Sequence, residues 1–383
     1  MPGIPANITI EGRTPATIKG NLPPLINTAS AARGGFRAGD DAGGGSDPVG
    51  VIFADNFDDQ PDWIGQVEIN GTYVQNPTLP TGWDAFRSVG ARYAPSKGDM
   101  DKHETIEIVG GVGSGGGKCL VKWRDSSTEA NAGVWKSDGI LSKFLPDGLS
   151  EVYCKYGLEL QPGWTADAST WAKAFRFSSL KAGFGEWNFG TGSDDGHGPM
   201  LFHDIIYSST WGLSNDISMR GFPNTNNYRF ETSGVPSGLP RTWNYAQLPC
   251  NFTDNVTDLN NDGTDTNPPY ISKVTGLAMS GKAEVAAAYG FGEINTFEHY
   301  VKMNSAPGVA DGIYKQWING FLTFFNSSIA WVGPGVVGDM PTWNRVQLGG
   351  NDHFPVHDES LKHEEWSAYH FIEIRDSLPE NRL

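Results

Sequence analysis

The sequence predicts an all-β protein, an antiparallel β-sandwich carrying an extended N-terminal arm. Three observations predict it. From residue 51 onward, short runs of β-branched and aromatic residues alternate with Gly, Pro, Asn and Asp punctuation. Composition agrees, since 49 Gly, 24 Pro and 12% aromatic residues with only 19% charged suit many strands joined by tight turns. The span FEHYVKMNSAPGVADGIYKQWINGFLTFF, residues 297–325, reads as a three-stranded meander. Its first turn carries Pro307 and Gly308 and closes on Asp311-Gly312; its second is Asn319-Gly320, the strongest short hairpin signal.

Taken in order, residues 1–50 come first. They hold 10 Gly, 6 Pro and one aromatic, Phe36. Such a segment buries too little apolar surface to fold alone. It is expected to be an anchoring arm laid along neighbouring subunits of an assembly, with the sandwich occupying 51–383. Strands are then expected in VIFADNFDD (51–59), HETIEIVGG (103–111), KCLVKWRD (118–125), EVYCKYGLEL (151–160) and WAKAFRFSS (171–179). They continue in MLFHDIIYSS (200–209), DISMRGF (216–222), YRFETSG (228–234) and the meander. NRVQLGG (344–350) and YHFIEIRD (369–376) close the series. Only GILSKFL (139–145) and SGKAEVAAAYG (280–290) read as helical turns. No internal repeat emerges, which argues against propellers and solenoids.

Charge and cysteines bound the partners. A formal charge of −16 argues against nucleic acid, which needs a clustered basic face. No run of about 18 apolar residues predicts a membrane span. Three cysteines, Cys119, Cys154 and Cys250, are too few for a disulfide scaffold, and the first two sit in apolar runs that predict buried free thiols. A virion surface or an extracellular location is expected; since the residues after Met1 show no basic and apolar leader pattern, it would be reached by lysis or a specialised route, or the chain is already mature.

The opening DNFDD strand, the W…KAFRFSS strand, YVKMN…DGIYKQWING, VQLGGN and the terminal IEIRDSLP together carry a resemblance. Over residues 51–380 the chain resembles the concanavalin A-like lectin/glucanase jelly rolls. Order and spacing are similar to polysaccharide-lyase-type members and to uncharacterised jelly-roll proteins of bacteriophages. The resemblance implies a jelly roll of two curved sheets, with first and last strands side by side and a concave face that binds glycans.

Strand alternation nominates residues for such a face. Phe297, His299, Val301 and Met303 read as core, as do Val152, Cys154, Tyr156 and Leu158. Tyr153, Lys155, Tyr300, Lys302, Lys315 and Trp317 then share the opposite side. Aromatics that stack on sugar rings beside ammonium groups that meet hydroxyls or carboxylates fit cell-surface or environmental polysaccharide. Ordinary solvated lysines and aromatics covering a sheet are the alternative.

Catalytic strings are absent: the laminarinase E-x-D-x-x-E and the alginate-lyase R-x-E-x-R and Q-I-H patterns do not occur. A polyuronate lyase needs a base and a cation that neutralises the substrate carboxylate. Lys173, Arg176, His203, Tyr300 and Lys302 are the candidates, and the K-x-F strand resembles the lysine-bearing strand of some algal-polysaccharide lyases. DLNNDGTDTN matches the opening of a calcium loop, with Asp258, Asn260, Asp262 and Asp265 as the expected ligands of a structural Ca2+, although Pro269 replaces the closing Glu; an ion-free, Asx-rich polar turn is the alternative. Two functions follow. The first is a structural or adhesion protein, a virion decoration or fibre with a glycan-facing jelly roll. The second is an extracellular lyase or hydrolase of acidic polysaccharide.

Overall fold

A computed structural model describes residues 50–88, 106–125, 134–164, 171–180, 197–208, 212–222, 247–251, 291–333, 336–354 and 364–382. The N-terminal arm, the calcium-like loop at 258–265, and the runs at 228–234 and 280–290 lie outside these residues. The described strands are β1 (Val51–Asp55), β2 (Trp63–Ile64), β3 (Gln66–Ile69), β4 (Thr72–Gln75), β5 (Ala85–Ser88) and β6 (Ile106–Gly110). Next come β7 (Lys118–Asp125), β8 (Val134–Leu149), β9 (Glu151–Leu160), β10 (Trp171–Leu180), β11 (His197–Ser208) and β12 (Gly212–Arg220). The series ends with β13 (Gln247–Asn251), β14 (Asn295–Lys302), β15 (Gly312–Ile318), β16 (Phe321–Ile329), β17 (Trp343–Phe354) and β18 (Glu364–Arg375).

Two antiparallel sheets carry the fold, as expected. One has nine strands in the order β16-β15-β14-β9-β18-β7-β6-β2, with β1 also on β18; the other has seven, β13-β12-β11-β10-β17-β8-β5. The first and last strands pair directly, Val51 opposite Arg375 and Asp55 opposite Ile372. Two Asn-Gly turns set the hairpins. Asn319 and Gly320 have φ of 50° and 81°, and Asn70 and Gly71, between β3 and β4, have 52° and 79°. Positive φ at both central residues matches the right-handed twist of the flanking strands, so these turns hold register without splaying them.

Alternation places the core between the sheets. Val152, Cys154, Tyr156 and Leu158 of β9 and Phe297, His299 and Val301 of β14 are all buried there. From the other sheet, Phe175, Phe177, Leu201, Val346 and Leu348 meet them. The Tyr156 ring stacks on Phe175 at 5.0 Å and on Phe297 at 5.6 Å, joining the two layers. Full burial of such side chains contributes about 1.5–3 kcal/mol each. Cys119 and Cys154 are free and buried, as read from sequence.

One local reading is corrected. Residues 139–145 form no helical turn; they lie in β8, paired with β17 on one side and β5 on the other. Local propensity for a helix yields where two long-range ladders satisfy the same backbone groups. Among the described residues no helix is long and apolar enough to cross a membrane.

Candidate functional site

The outer face of the seven-stranded sheet is built from alternate residues of four neighbouring strands. In β11, Leu201, His203 and Ile205 point to the core, leaving Phe202 and Asp204 outward. In β17, Val346 and Leu348 point inward, leaving Arg345 and Gln347 outward. In β10, Phe175 and Phe177 point inward and Arg176 and Ser178 outward. Register then lines up Phe202, Arg176, Gln347 and Ser142 as one row across β11, β10, β17 and β8. Ser178 opposite Arg345 begins the adjacent row.

Hydrogen bonds lock these side chains to one another. Arg176 Nη1 donates to Gln347 Oε1 at 3.0 Å, and Gln347 Nε2 donates to Ser142 Oγ at 2.8 Å. Arg345 Nε donates to Ser178 Oγ at 2.7 Å. The Arg176 guanidinium lies over the Phe202 ring at 4.7 Å, and the Lys173 ammonium over the same ring at 5.6 Å. Lys173 also donates to Asn351 Oδ1 at 2.6 Å. Arg176 and Arg345 are 3% and 1% exposed although they point away from the core. Desolvating a guanidinium costs several kcal/mol, and the bonds to Gln347 and Ser178 offset part of that cost while fixing both groups on this face.

The residues expected to bind glycan sit elsewhere. Tyr153, Lys155, Tyr300, Lys302, Lys315 and Trp317 do share one face, the outer face of the nine-stranded sheet. Tyr300 stands between Tyr153 and Lys315, and Glu298 between Lys155 and Trp317. The chain's own C-terminal segment covers much of it. Leu378 packs on the buried cluster of Tyr153, Tyr300 and Trp317. Arg382 grips Glu298 through Nε at 2.6 Å and Nη2 at 2.8 Å and lies 5.9 Å from the Trp317 ring. Tyr153 donates to Glu298 at 2.7 Å, and Tyr300 donates to Glu151. Burial, with these carboxylates, pushes both phenols up, away from service as bases. Burial also pulls the Lys315 ammonium down.

The five residues nominated for a lyase are therefore not one constellation. Lys173 and Arg176 are together on the seven-stranded face. His203 lies in the core, fully buried, its Nδ1 2.6 Å from the Tyr156 hydroxyl. Tyr300 and Lys302 belong to the far face of the other sheet. The calcium ligands Asp258, Asn260, Asp262 and Asp265 lie outside the described residues. Among the described residues, no three His, Cys, Asp or Glu side chains converge as a metal site.

Sequence reading missed Arg345, Gln347, Ser142, Asn351 and Asp204. The signal was present in part: NRVQLGG alternates Arg345 and Gln347 with Val346 and Leu348, as a half-buried strand does. Glu159, which alternation puts on the same side of β9 as Tyr153 and Lys155, has a buried carboxylate that accepts the Ser114 N–H at 2.8 Å and the Ser114 hydroxyl at 3.1 Å and contacts His370 Nε2 at 2.9 Å. There the acid stands between the hydroxyl and the imidazole. That order pins the glycine-rich segment 110–117 to the sheet and does not activate a nucleophile, which needs the imidazole in the middle.

No family model matches the chain, and no curated protein matches it. Among solved structures it is similar to an alginate lyase, Aly36B, in complex with an alginate trisaccharide, at 11% identity and a TM-score of 0.41, covering 82% of this chain and 99% of that one. It is also similar to the alginate lyase vAL-1 from Chlorella virus, at 11% identity and a TM-score of 0.39, covering 70% and 88%. The laminarinase catalytic domain from Thermotoga maritima is similar at 10% identity and a TM-score of 0.38, covering 86% and 98%. Likeness of this degree carries no argument about chemistry, which rests on the side chains described above.

Proposed function

We propose that the chain cleaves acidic polysaccharide by β-elimination on the outer face of its seven-stranded sheet. The observation that supports this reading is the hydrogen-bonded cationic row of Arg176, Gln347 and Ser142, flanked by Lys173 with Asn351 and by Arg345 with Ser178. In a chain of net charge −16, a fixed group of cations and amides marks where an anionic ligand is received. Arg176 and Gln347 suit a uronate carboxylate: guanidinium and amide N–H groups neutralise it and so acidify the adjacent C5–H. A base removes that proton, the C4–O bond breaks, and C4 and C5 become doubly bonded. The departing oxygen takes up a proton. Lys173 and Asp204, register partners on this face, are the groups to which we assign the proton exchange.

The nine-stranded face is the poorer place for this chemistry, because the carboxylates of Glu298 and Glu151 stand among its phenols and would repel an anionic polymer. The anchoring reading rests on the arm, which lies outside the described residues. Incubation with an alginate, ulvan and glucuronan panel, followed by the ultraviolet absorbance of unsaturated uronate, tests the proposal. Product from at least one polymer is expected, with kcat/KM lowered about 10²–10³-fold in Arg176→Ala. A folded protein that releases no unsaturated product from any of them overturns it.

A further inference from the structure

The ladder between β10 and β17 opens directly beneath Lys173. Between the pairs Ala172 with Asp352 and Phe175 with Leu348, β10 contributes two residues and β17 three. The β10–β11 ladder shifts at the same place, between Lys173 and Phe175. Glycines permit the distortion. Gly349 has φ of 79°, and a Cβ there would collide with the Gly139 carbonyl oxygen; one on Gly350 would collide with the Lys173 side chain. Facing irregularities re-aim the side chains they carry, and such features gather beside active sites.

Tyr369 closes this opening from the other sheet. It stands on β18, 1% exposed, with its ring in the core 6.0 Å from that of Tyr156. Its hydroxyl crosses the core to the seven-stranded sheet, donating to the Ala174 carbonyl at 2.6 Å and accepting the Gly349 N–H at 3.1 Å. One phenol thus satisfies a backbone acceptor of β10 and a backbone donor of β17 where the two strands part. On the outer side of the same opening, Lys173 reaches Asn351.

The geometry assigns Tyr369 as a positioning residue for the polysaccharide site. Its hydroxyl bridges the parted strands, holds the backbone on which Lys173 and Asn351 ride, and so sets where the Lys173 ammonium stands relative to Arg176. This assignment rests on the β-elimination reading for its catalytic consequence and on the backbone geometry alone for its structural one. Tyr369 acts through other groups: it lies behind the sheet, within the core.

Tyr369→Phe keeps the ring and its packing and removes only the bridge. Two readouts follow it: kcat and KM on whichever panel polymer is cleaved, and amide hydrogen exchange over residues 171–177 and 345–352, with the hairpin at 297–318 as reference. Expected are a kcat lowered about tenfold with KM within about twofold, and exchange faster in the two segments with the reference unchanged. Lys173→Ala and the double variant complete a cycle, in which the double variant is expected to be no slower than Lys173→Ala alone. Unchanged kcat, multiplicative losses in the cycle, or exchange raised equally in the reference hairpin each overturn the assignment. If the parent protein cleaves no polymer, the β-elimination reading fails separately. Exchange then decides alone: selective acceleration upholds the bridge, and unchanged exchange overturns it.

Discussion

His299 is held between two phenols, Nε2 at 3.3 Å from the Tyr156 hydroxyl and Nδ1 at 3.0 Å from that of Tyr314, while Tyr156 also meets His203. Burial, reinforced by the neighbouring His203, lowers the His299 pKa well below its usual 6.5, so the folded ring stays neutral. The unfolded chain takes up a proton there as pH falls through about 6.5, and the folded chain does not. Stability from this residue is therefore full above that value and lost as pH drops below it. Urea midpoints measured from pH 7.5 to 5.5 should decline, and His299→Asn should flatten the decline while lowering the midpoint throughout. An unchanged slope in that variant would show that other groups control it. The two histidines also show what single residues reveal in a sequence. His299 was legible as core from its alternation with Phe297 and Val301, and the same rule applied to Leu201 and Ile205 places His203 inward.

Strands are where most of the fold was legible. The faces of β9, β14 and β15 follow period-two alternation, and the Asn319-Gly320 turn forms as its residues require. The Asn70-Gly71 turn carries the same signal, between strands of only four residues each. β8 was illegible for a different reason. Gly139, Pro146 and Gly148 interrupt it, and it is extended because β5 and β17 bracket it, a long-range condition that no local pattern records. The site is harder still to read, since Arg176 meets Gln347 across 171 positions and Gln347 meets Ser142 across 205. Only the ladders bring them together. Those ladders depend on the irregular stretch at Gly349. Gly349→Ala should lose about 3 kcal/mol or more, from left-handed strain plus collision with the Gly139 carbonyl. Gly163→Ala, at φ of 78° with nothing within 4 Å, should lose only about 1–2 kcal/mol. Equal losses in chemical denaturation would mean that the close approach of β8 and β17 is not what Gly349 serves.

Over the whole molecule, the outer faces of the two sheets differ in chemistry: carboxylates stand among the phenols of one, and arginines are bonded to amide and hydroxyl on the other. The nine-stranded face is closed by the chain's own end, where Arg382 holds the buried Glu298 carboxylate and its own charge is held more firmly by that bond. Removing the guanidinium leaves Glu298 with Tyr153 alone. Because the arginine is a quarter exposed, Arg382→Ala should lose about 1–3 kcal/mol and loosen residues 377–382, detectable as faster proteolysis there. Proteolysis and melting both unchanged would detach the segment from the fold's stability. The seven-stranded face instead carries its cations on a rigid, hydrogen-bonded row, which is the arrangement a charged polymer requires. The direct test is the rate of unsaturated-uronate release from acidic polysaccharide, compared between Arg176→Ala and Arg382→Ala at a temperature where both are folded. Loss of about 10²-fold or more in the first, with the second near the parent rate, is the predicted result. Equal rates in all three, or release that depends on Arg382 and not Arg176, would contradict a site on the seven-stranded face.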